Sequence, residues 1–202
     1  MSTRIEPQEI TGLYGVVVKT FARRLFGRVP ESLGVMWHHV PALRAGMAFG
    51  QKLQKWDECD ETLKSLAHMA VASLVGCSWC LDFNYFMAKN KGLDIEKARE
   101  VPRWRESEAF TPLEREVLEY AEAMTQLPST VSDAMVAGLC ERLGAAGLIE
   151  LTTVIGYANM TTRSNVALGI ESDGFSAACG LPPISERPAA HPTRPGRVVS
   201  QA

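Results

Sequence analysis

Apolar residues recur with the spacing of an α-helix along most of this chain, and this pattern constrains the fold more than any other feature. The clearest example lies between Thr62 and Val75, where apolar side chains at steps of three and four form one broad stripe: Leu63, Leu66, Ala67, Ala70, Val71 and Leu74. No segment shows the strict alternation that is typical of a half-buried β-strand. The sequence therefore predicts an all-α fold.

Capping and breaking residues divide the chain into predicted helices. Thr111 and Glu114 form a capping box around Pro112, and Gly76 interrupts the stripe before Cys77 opens the next helix. One short helix should end at Met36, and another should cover residues 94–101. The longer predicted helices cover residues 8–26, 41–55, 62–75, 77–90, 112–124, 131–143 and 145–168.

Size and composition indicate one domain with a tail. The 202 residues are 46% hydrophobic, enough to fill a sizeable core. We expect a single helical domain over residues 1–180, with its core at about 60–92. Residues 181–202 are rich in Pro, Ala, Arg and Ser, so we expect a mobile tail, or one draped on a neighbouring subunit.

The charge pattern excludes several classes of partner. Lys and Arg (21) nearly balance Asp and Glu (23), and no block of like charge occurs, so nucleic acid is not an expected partner. The first residues do not resemble a signal peptide, and polar residues interrupt the longest apolar segments, so no membrane is expected either. We expect a cytoplasmic protein.

Cys77 and Cys80 are the main candidates for chemistry. They stand three residues apart at the start of a predicted helix, and together with Asn84 they lie within a sector of roughly 60°. Such a pair can form a disulfide across one turn, with Cα atoms less than about 7 Å apart. A thiol near a helix N-terminus also ionises more easily. The pair therefore favours redox chemistry.

Two alternatives remain for the cysteine pair, a structural zinc site and two ordinary core cysteines. Structural zinc commonly takes four ligands, and the sequence offers no second CxxC or close pair of histidines beside acidic or thiol groups. Only Cys59 and His68 could add ligands through the tertiary fold. We expect neither a metal nor a cofactor.

The motif around the cysteines resembles a known family. The stretches Lys64-Ser-Leu66, Val71-Ala-Ser-Leu-Val-Gly-Cys-Ser-Trp-Cys80 and Lys91-Gly-Leu93 look like the core of the carboxymuconolactone decarboxylase and alkylhydroperoxidase D superfamily. Residues 148–170 are similar to the C-terminal helix of its longer members, and the resemblance covers roughly residues 30–175. Asn159, Arg163 and Asn165 in this stretch could touch a substrate, although such residues more often bind backbone or another subunit.

The resemblance implies an all-helical homo-oligomer with an alkylhydroperoxidase D-like bundle. In the thiol branch a CxxC pair reduces hydroperoxides, which implies that Cys80 attacks the peroxide oxygen and Cys77 resolves the product into a disulfide. A dithiol electron donor would then reduce the pair. The decarboxylase branch works without these cysteines, so their presence favours the peroxidase-like branch.

The sequence departs from the thiol branch at two positions. That branch has His four residues after the second Cys and Glu twelve before the first, where this chain has Asn84 and Ser65. An amide does not accept a proton at neutral pH, and a lone hydroxyl is a poor base. His68, one turn after Ser65, could replace the base, or it could be a hydrogen-bonded core histidine.

Because of these departures, three different functions remain possible for this chain. The first hypothesis is a peroxidase with slow turnover. The second is a catalytically decayed member that serves as a helical scaffold or binds a small molecule. The third is the lactone or acid chemistry of the decarboxylase branch.

Overall fold

The structure, a computed structural model, describes residues 3–187, and its regular secondary structure over this range is entirely helical. The all-α prediction is confirmed. The α-helices are α1 (Gly12–Phe26), α2 (Glu31–Met36), α3 (Val40–Leu53), α4 (Glu61–Val75), α5 (Ser78–Asn90), α6 (Ile95–Arg99), α7 (Pro112–Thr125), α8 (Asp133–Leu168) and α9 (Phe175–Ala178). Short 3-10 helices occur at Trp37–His39 and Val101–Arg103. None of the helices in this range has both the length and the apolar composition needed to cross a bilayer.

The structure corrects the predicted start of the first helix. α1 begins at Gly12 rather than at Gln8, because the preceding residues pair with α2 instead. The amide of Gln8 donates to the carbonyl of Gly34 at 3.2 Å. A side chain at position 34 would stand 2.8 Å from Pro7, so glycine permits this close approach. The sequence pattern also did not predict α9.

The predicted break between residues 143 and 145 is confirmed. Gly144 has a φ of 72° and a ψ of 166°, and this non-helical conformation kinks α8 into two helical parts. Glycine adopts a positive φ at little steric cost. The predicted capping box at Thr111 and Glu114 is also present, with both of its hydrogen bonds.

The central element of the core is α4, which packs against α5, α7 and α8. Leu66 and Met69 on α4, Leu118 on α7, and Leu151 and Ile155 on α8 are almost completely inaccessible to solvent. Burying a side chain of this size contributes about 1.5–3 kcal/mol. The apolar stripe that is visible in the sequence therefore becomes the centre of the helical bundle.

A buried ion pair joins the N-terminal end of α4 to α8. The Nζ of Lys64 donates to Oε1 of Glu150 at 2.8 Å and to the carbonyl of Trp56 at 2.6 Å. Glu150 also accepts a hydrogen bond from the amide of Glu58 at 2.9 Å. Gly147 allows this approach, since a Cβ there would lie 2.8 Å from the carbonyl of Glu58. These contacts set how α8 lies along α4.

The first residues after the helical bundle follow its surface. Ser185 pairs with the backbone of Arg99 and with the carboxylate of Glu100, and Arg187 donates to buried Glu122 at 3.1 Å. Leu181 and Ile184 pack against the core. The rest of the predicted mobile tail, residues 188–202, lies outside the described residues.

Candidate redox site

A tight turn between α4 and α5 places the two cysteines. Gly76 has a left-handed conformation with φ of 79°, and the amides of Gly76 and Cys77 both donate to the carbonyl of Ala72. This geometry is a common way to end a helix, and glycine adopts it most cheaply. The turn makes Cys77 the N-cap of α5, where its sulfur accepts a hydrogen bond from the amide of Cys80 at 3.2 Å.

Cys77 and Cys80 are joined by a disulfide, with their Cα atoms 5.3 Å apart. The predicted disulfide geometry is therefore confirmed. The two residues are 1% and 2% exposed and pack with Ala72, with Trp79 and Leu81 against them. The pair thus forms a small, buried cluster at the junction of α4 and α5.

Asn165 contacts the second cysteine from the far end of α8. Its Nδ2 donates to Sγ of Cys80 at 3.3 Å, across 85 residues of sequence. The sequence indicated Asn165 only as a polar residue that could touch a substrate. Nothing in its local pattern predicts the sulfur contact, because that contact depends on how α8 packs.

Asn84 lies on the same face as the cysteines, but its side chain is turned to the backbone. Its Nδ2 donates to the carbonyl of Cys80 at 2.7 Å, one turn back along α5. In the described part of the chain the sulfurs accept hydrogen bonds from the amide of Cys80 and from Asn165, and not from Ser65, His68 or Asn84. The structure therefore brings Asn84 next to the pair without making it a base.

His68 is partly buried, and its ring meets that of Tyr157 edge-on, with centroids 6.5 Å apart. Burial, together with the positive charge of Lys91, lowers the pKa of His68 to about 4. Its imidazole is consequently neutral at pH 7 and a weak base. Among residues 3–187, the imidazole of His68 forms no hydrogen bond with either sulfur. The structure therefore gives no contact that supports a proton relay through His68.

Aromatic residues cover the first turns of α5. Trp79 stacks on Phe83 with centroids 4.9 Å apart, and it meets Phe175 edge-on at 6.1 Å. The indole nitrogen of Trp79 donates to Asp173 at 3.2 Å. Trp79, one of the two residues between the cysteines, therefore connects α5 to the segment that follows α8.

Asp82 holds that segment in place. Its buried carboxylate accepts hydrogen bonds from the hydroxyl of Ser172 at 2.9 Å and from the amides of Phe175 and Ser176 at 2.8 and 3.0 Å. Sequence reasoning missed this role, and an acidic residue two positions after the CxxC was its only local signal. Residues 172–176 thus pack over α5 beside the cysteines.

Comparison with known proteins identifies relatives at the level of sequence. Residues 40–123 match the model of the carboxymuconolactone decarboxylase family. The uncharacterized protein YnjA of Escherichia coli is 32% identical over 162 residues, which are 79% of this chain and 87% of that protein.

Solved structures share the fold at low identity. A crystal structure of a cysteine-to-alanine variant of the debrominase Bmp8 with 2,3,4-tribromopyrrole has a TM-score of 0.75 and 17% identity, covering 88% of this chain and 96% of that one. A peroxidase-related protein from Ralstonia eutropha, described as an alkylhydroperoxidase AhpD core, has a TM-score of 0.68 and 15% identity, covering 86% and 94%. The family match and the YnjA relationship show that this chain, with its bonded CxxC pair Cys77–Cys80 and an alkylhydroperoxidase D-like fold, belongs to the carboxymuconolactone decarboxylase family.

Proposed function

We propose that this protein is a thiol-dependent oxidoreductase that reduces hydroperoxides through Cys77 and Cys80. The observation that carries the proposal is the pair itself: two buried cysteines at a helix N-terminus are already bonded to each other, and each sulfur accepts an N–H hydrogen bond. A pair in that setting can pass between dithiol and disulfide with little movement of the backbone. Family membership supports an enzyme of this general type.

The proposed cycle consumes one hydroperoxide and one dithiol. The Cys80 thiolate attacks the terminal oxygen of ROOH, the O–O bond breaks, and the departing alkoxide takes up a proton and leaves as ROH. Cys80 is then a sulfenic acid. The Cys77 thiol attacks its sulfur, water leaves, and the disulfide forms. A dithiol donor returns two electrons and two protons, so a reducing compartment such as the cytoplasm would suit the cycle.

The site offers little help with proton transfer. Asn84 and Ser65 occupy positions where a base would assist, but an amide and a lone hydroxyl do not accept a proton at neutral pH. His68 has a pKa of about 4 and no hydrogen bond to either sulfur in the described residues, so its role as a relay stays a hypothesis. General bases commonly contribute about a hundredfold to ten-thousandfold, so turnover should be slow.

An exposed apolar face supports the proposal that the protein is a homo-oligomer. Leu13, Val17 and Phe21 follow one another at steps of four along α1 and are 90%, 64% and 58% exposed. A row of this kind commonly marks a subunit interface. Light scattering at micromolar concentration should show an oligomer, and a monomer would contradict this part of the proposal.

The central test is steady-state hydroperoxide reduction with a dithiol donor. Cys80→Ser should abolish turnover, because serine provides no thiolate to attack oxygen. The matched control is Cys179→Ser, which removes an exposed cysteine outside the pair and should keep the wild-type rate. If Cys80→Ser reduces peroxide as fast as wild type, thiol catalysis at this site is wrong and the scaffold hypothesis replaces it.

The fold shared with the debrominase Bmp8 raises a second candidate, reductive dehalogenation. Trp79, Phe83 and Phe175 pack their rings on one another at the start of α5, beside the cysteine pair. In such a reaction two thiols would supply the electrons that replace a ring C–Br bond with C–H, giving bromide and the disulfide. Incubating the reduced protein with a brominated pyrrole should release bromide if this candidate is right. The peroxide assay on the same preparation separates the two reactions.

A further inference from the structure

We propose that Asn165 is a positioning residue that stabilises the thiolate of Cys80 in the reduced protein. Its Nδ2 lies 3.3 Å from Sγ of Cys80. An amide N–H donates a hydrogen bond and cannot remove a proton, so it favours the ionised thiol without acting as a base. The inference rests on the dithiol chemistry proposed above.

The backbone around Asn165 is held firmly enough to keep this contact. Gly169 ends α8 in a left-handed conformation with φ of 68°, and the amide of buried Ile170 donates to the carbonyl of Asn165 at 2.9 Å. The amide of Arg4 donates to the carbonyl of Leu168 at 3.0 Å. A donor held in place by the fold loses little entropy when the negative charge appears on sulfur.

The two sulfurs have different donors, which divides their roles. The sulfur of Cys77, the N-cap, accepts a hydrogen bond from the backbone amide of Cys80 at the N-terminal end of α5. Cys80 lies one turn further along and accepts from a side chain of another helix. Substitution of Asn165 should therefore act mainly on Cys80 and leave the backbone donor of Cys77 in place.

The elements around the pair carry several titratable groups. His68 is on α4 and Asp82 on α5, while Glu171 and Asp173 follow α8. Asp82 accepts hydrogen bonds from the 172–176 segment, and Asp173 accepts one from the indole of Trp79. The neutral amide of Asn165 is the side-chain donor that the described structure directs at Cys80.

The test measures ionisation of Cys80 and does not require peroxide. In a Cys77→Ser background, the rate of alkylation of Cys80 is followed from pH 5 to 10 by mass spectrometry of its peptide. Asn165→Ala should reduce the thiolate fraction at pH 7 about tenfold, as expected for losing a hydrogen bond to a charged group. Asn165→Asp has nearly the same size but places a negative charge at the sulfur, so the reduction should be larger.

Asn159→Ala is the matched control on the same helix. Asn159 donates to the hydroxyl of Thr125 at 2.9 Å and to the carbonyl of Ile155 at 3.2 Å, in contrast to the sulfur contact of Asn165. Its alkylation profile should stay within twofold of that of the parent, and circular dichroism confirms that each variant is folded. Coinciding profiles for the parent, Asn165→Ala and Asn165→Asp would overturn the inference, as would an equal shift in Asn159→Ala. A wild type that alkylates as expected but reduces no hydroperoxide would overturn the proposed function alone.

Discussion

Buried cysteines lie just beyond the two ends of α4, in opposite electrostatic settings. At the N-terminal end, Cys59 is 2% exposed and stands beside the ion pair of Lys64 and Glu150. Burial, followed by the negative charge of Glu150, raises the pKa of the Cys59 thiol to about 11. At the C-terminal end, Cys77 and Cys80 are equally buried, but their sulfurs accept N–H hydrogen bonds.

The difference shows that burial does not decide what a cysteine does. The thiolate is the reactive form, and donors or positive charge favour it while carboxylates and apolar surroundings disfavour it. Cys59 therefore serves the core as a small apolar residue. The CxxC end of the same helix combines burial with directed donors, which is the arrangement expected for chemistry.

The largest expected effect comes from breaking the ion pair at the N-terminal end. Lys64→Met leaves Glu150 buried without its partner, which should lower the free energy of unfolding by about 3–5 kcal/mol. Urea denaturation measures the loss. Lys97→Met, which removes the partly exposed partner of Glu114, is the control and should cost less. If Lys64→Met lowers the free energy of unfolding by less than Lys97→Met does, the Lys64–Glu150 pair does not stabilise the N-terminal end of α4.

The double variant Lys64→Met with Glu150→Leu sharpens the same test. Replacing both charges by apolar groups removes the uncompensated carboxylate, so much of the lost stability should return. Cys59 reports independently, because Glu150 raises the pKa of its thiol more than Lys64 lowers it. Removing both charges should therefore make its alkylation slightly faster, and a slower rate would contradict the electrostatic explanation.

The next effect is a difference in the alkylation rates of Cys59 and Cys80, which lie beyond opposite ends of α4. A thiol pKa of about 11 instead of the ordinary 9.0 leaves Cys59 with about a hundredfold less thiolate at pH 7. In the reduced protein, Cys80 should react with iodoacetamide at least about a hundredfold faster than Cys59. Mass spectrometry of the labelled peptides resolves the two sites. Similar rates would remove the distinction drawn between the ends of α4.

Adding a base at the CxxC end should raise activity to a smaller degree. Asn84→His places an imidazole one turn after Cys80, and we expect roughly a tenfold increase in hydroperoxide turnover. The gain should stay below the usual range for a general base, because Ser65 provides no carboxylate to orient the ring. Asn90→His, on the exposed end of the same helix, should leave the rate unchanged. Equal rates in both variants would show that proton transfer does not limit turnover.

The smallest effect concerns stability against pH. The pKa of His68 is about 4 in the folded protein and 6.5 in an unfolded chain, so the unfolded state binds more protons between these values. Stability should therefore fall as the pH decreases from 6.5 towards 4, and His68 should have no such effect above pH 6.5. His68→Gln should remove about 2 kcal/mol of this loss, as measured by urea denaturation at pH 7 and pH 4.5.

His38→Gln is the control for the pH experiment. His38 is exposed on the surface, so its removal should leave the pH dependence of stability close to that of wild type. Identical pH dependence in wild type and His68→Gln would show that His68 does not stay neutral in the fold. If His68→Ala also lowers peroxide turnover, the relay hypothesis gains support.

Features that depend on neighbours a few residues apart were predictable. The helical period, the capping box at Thr111, the break at Gly144 and the facing of Cys77 and Cys80 each follow from spacing within one or two turns. The start of α1 was wrong because the residues before Gly12 are held by α2, a contact that no local pattern shows. The same reason explains why α9 was missed, since Asp82 on α5 caps its first turn.

The sequence by itself determined that this chain is helical, that its thiols lie one turn apart, and that the positions of Ser65 and Asn84 lack a base. Only the tertiary structure decided that Asn165 meets Cys80, that Asp82 binds the 172–176 segment, and that Glu150 neutralises Lys64. Each of these contacts joins residues more than 80 positions apart. Helix period and capping arise from bonds within a turn, whereas partners of this kind meet only when whole helices have packed, because burial of the apolar faces selects their arrangement.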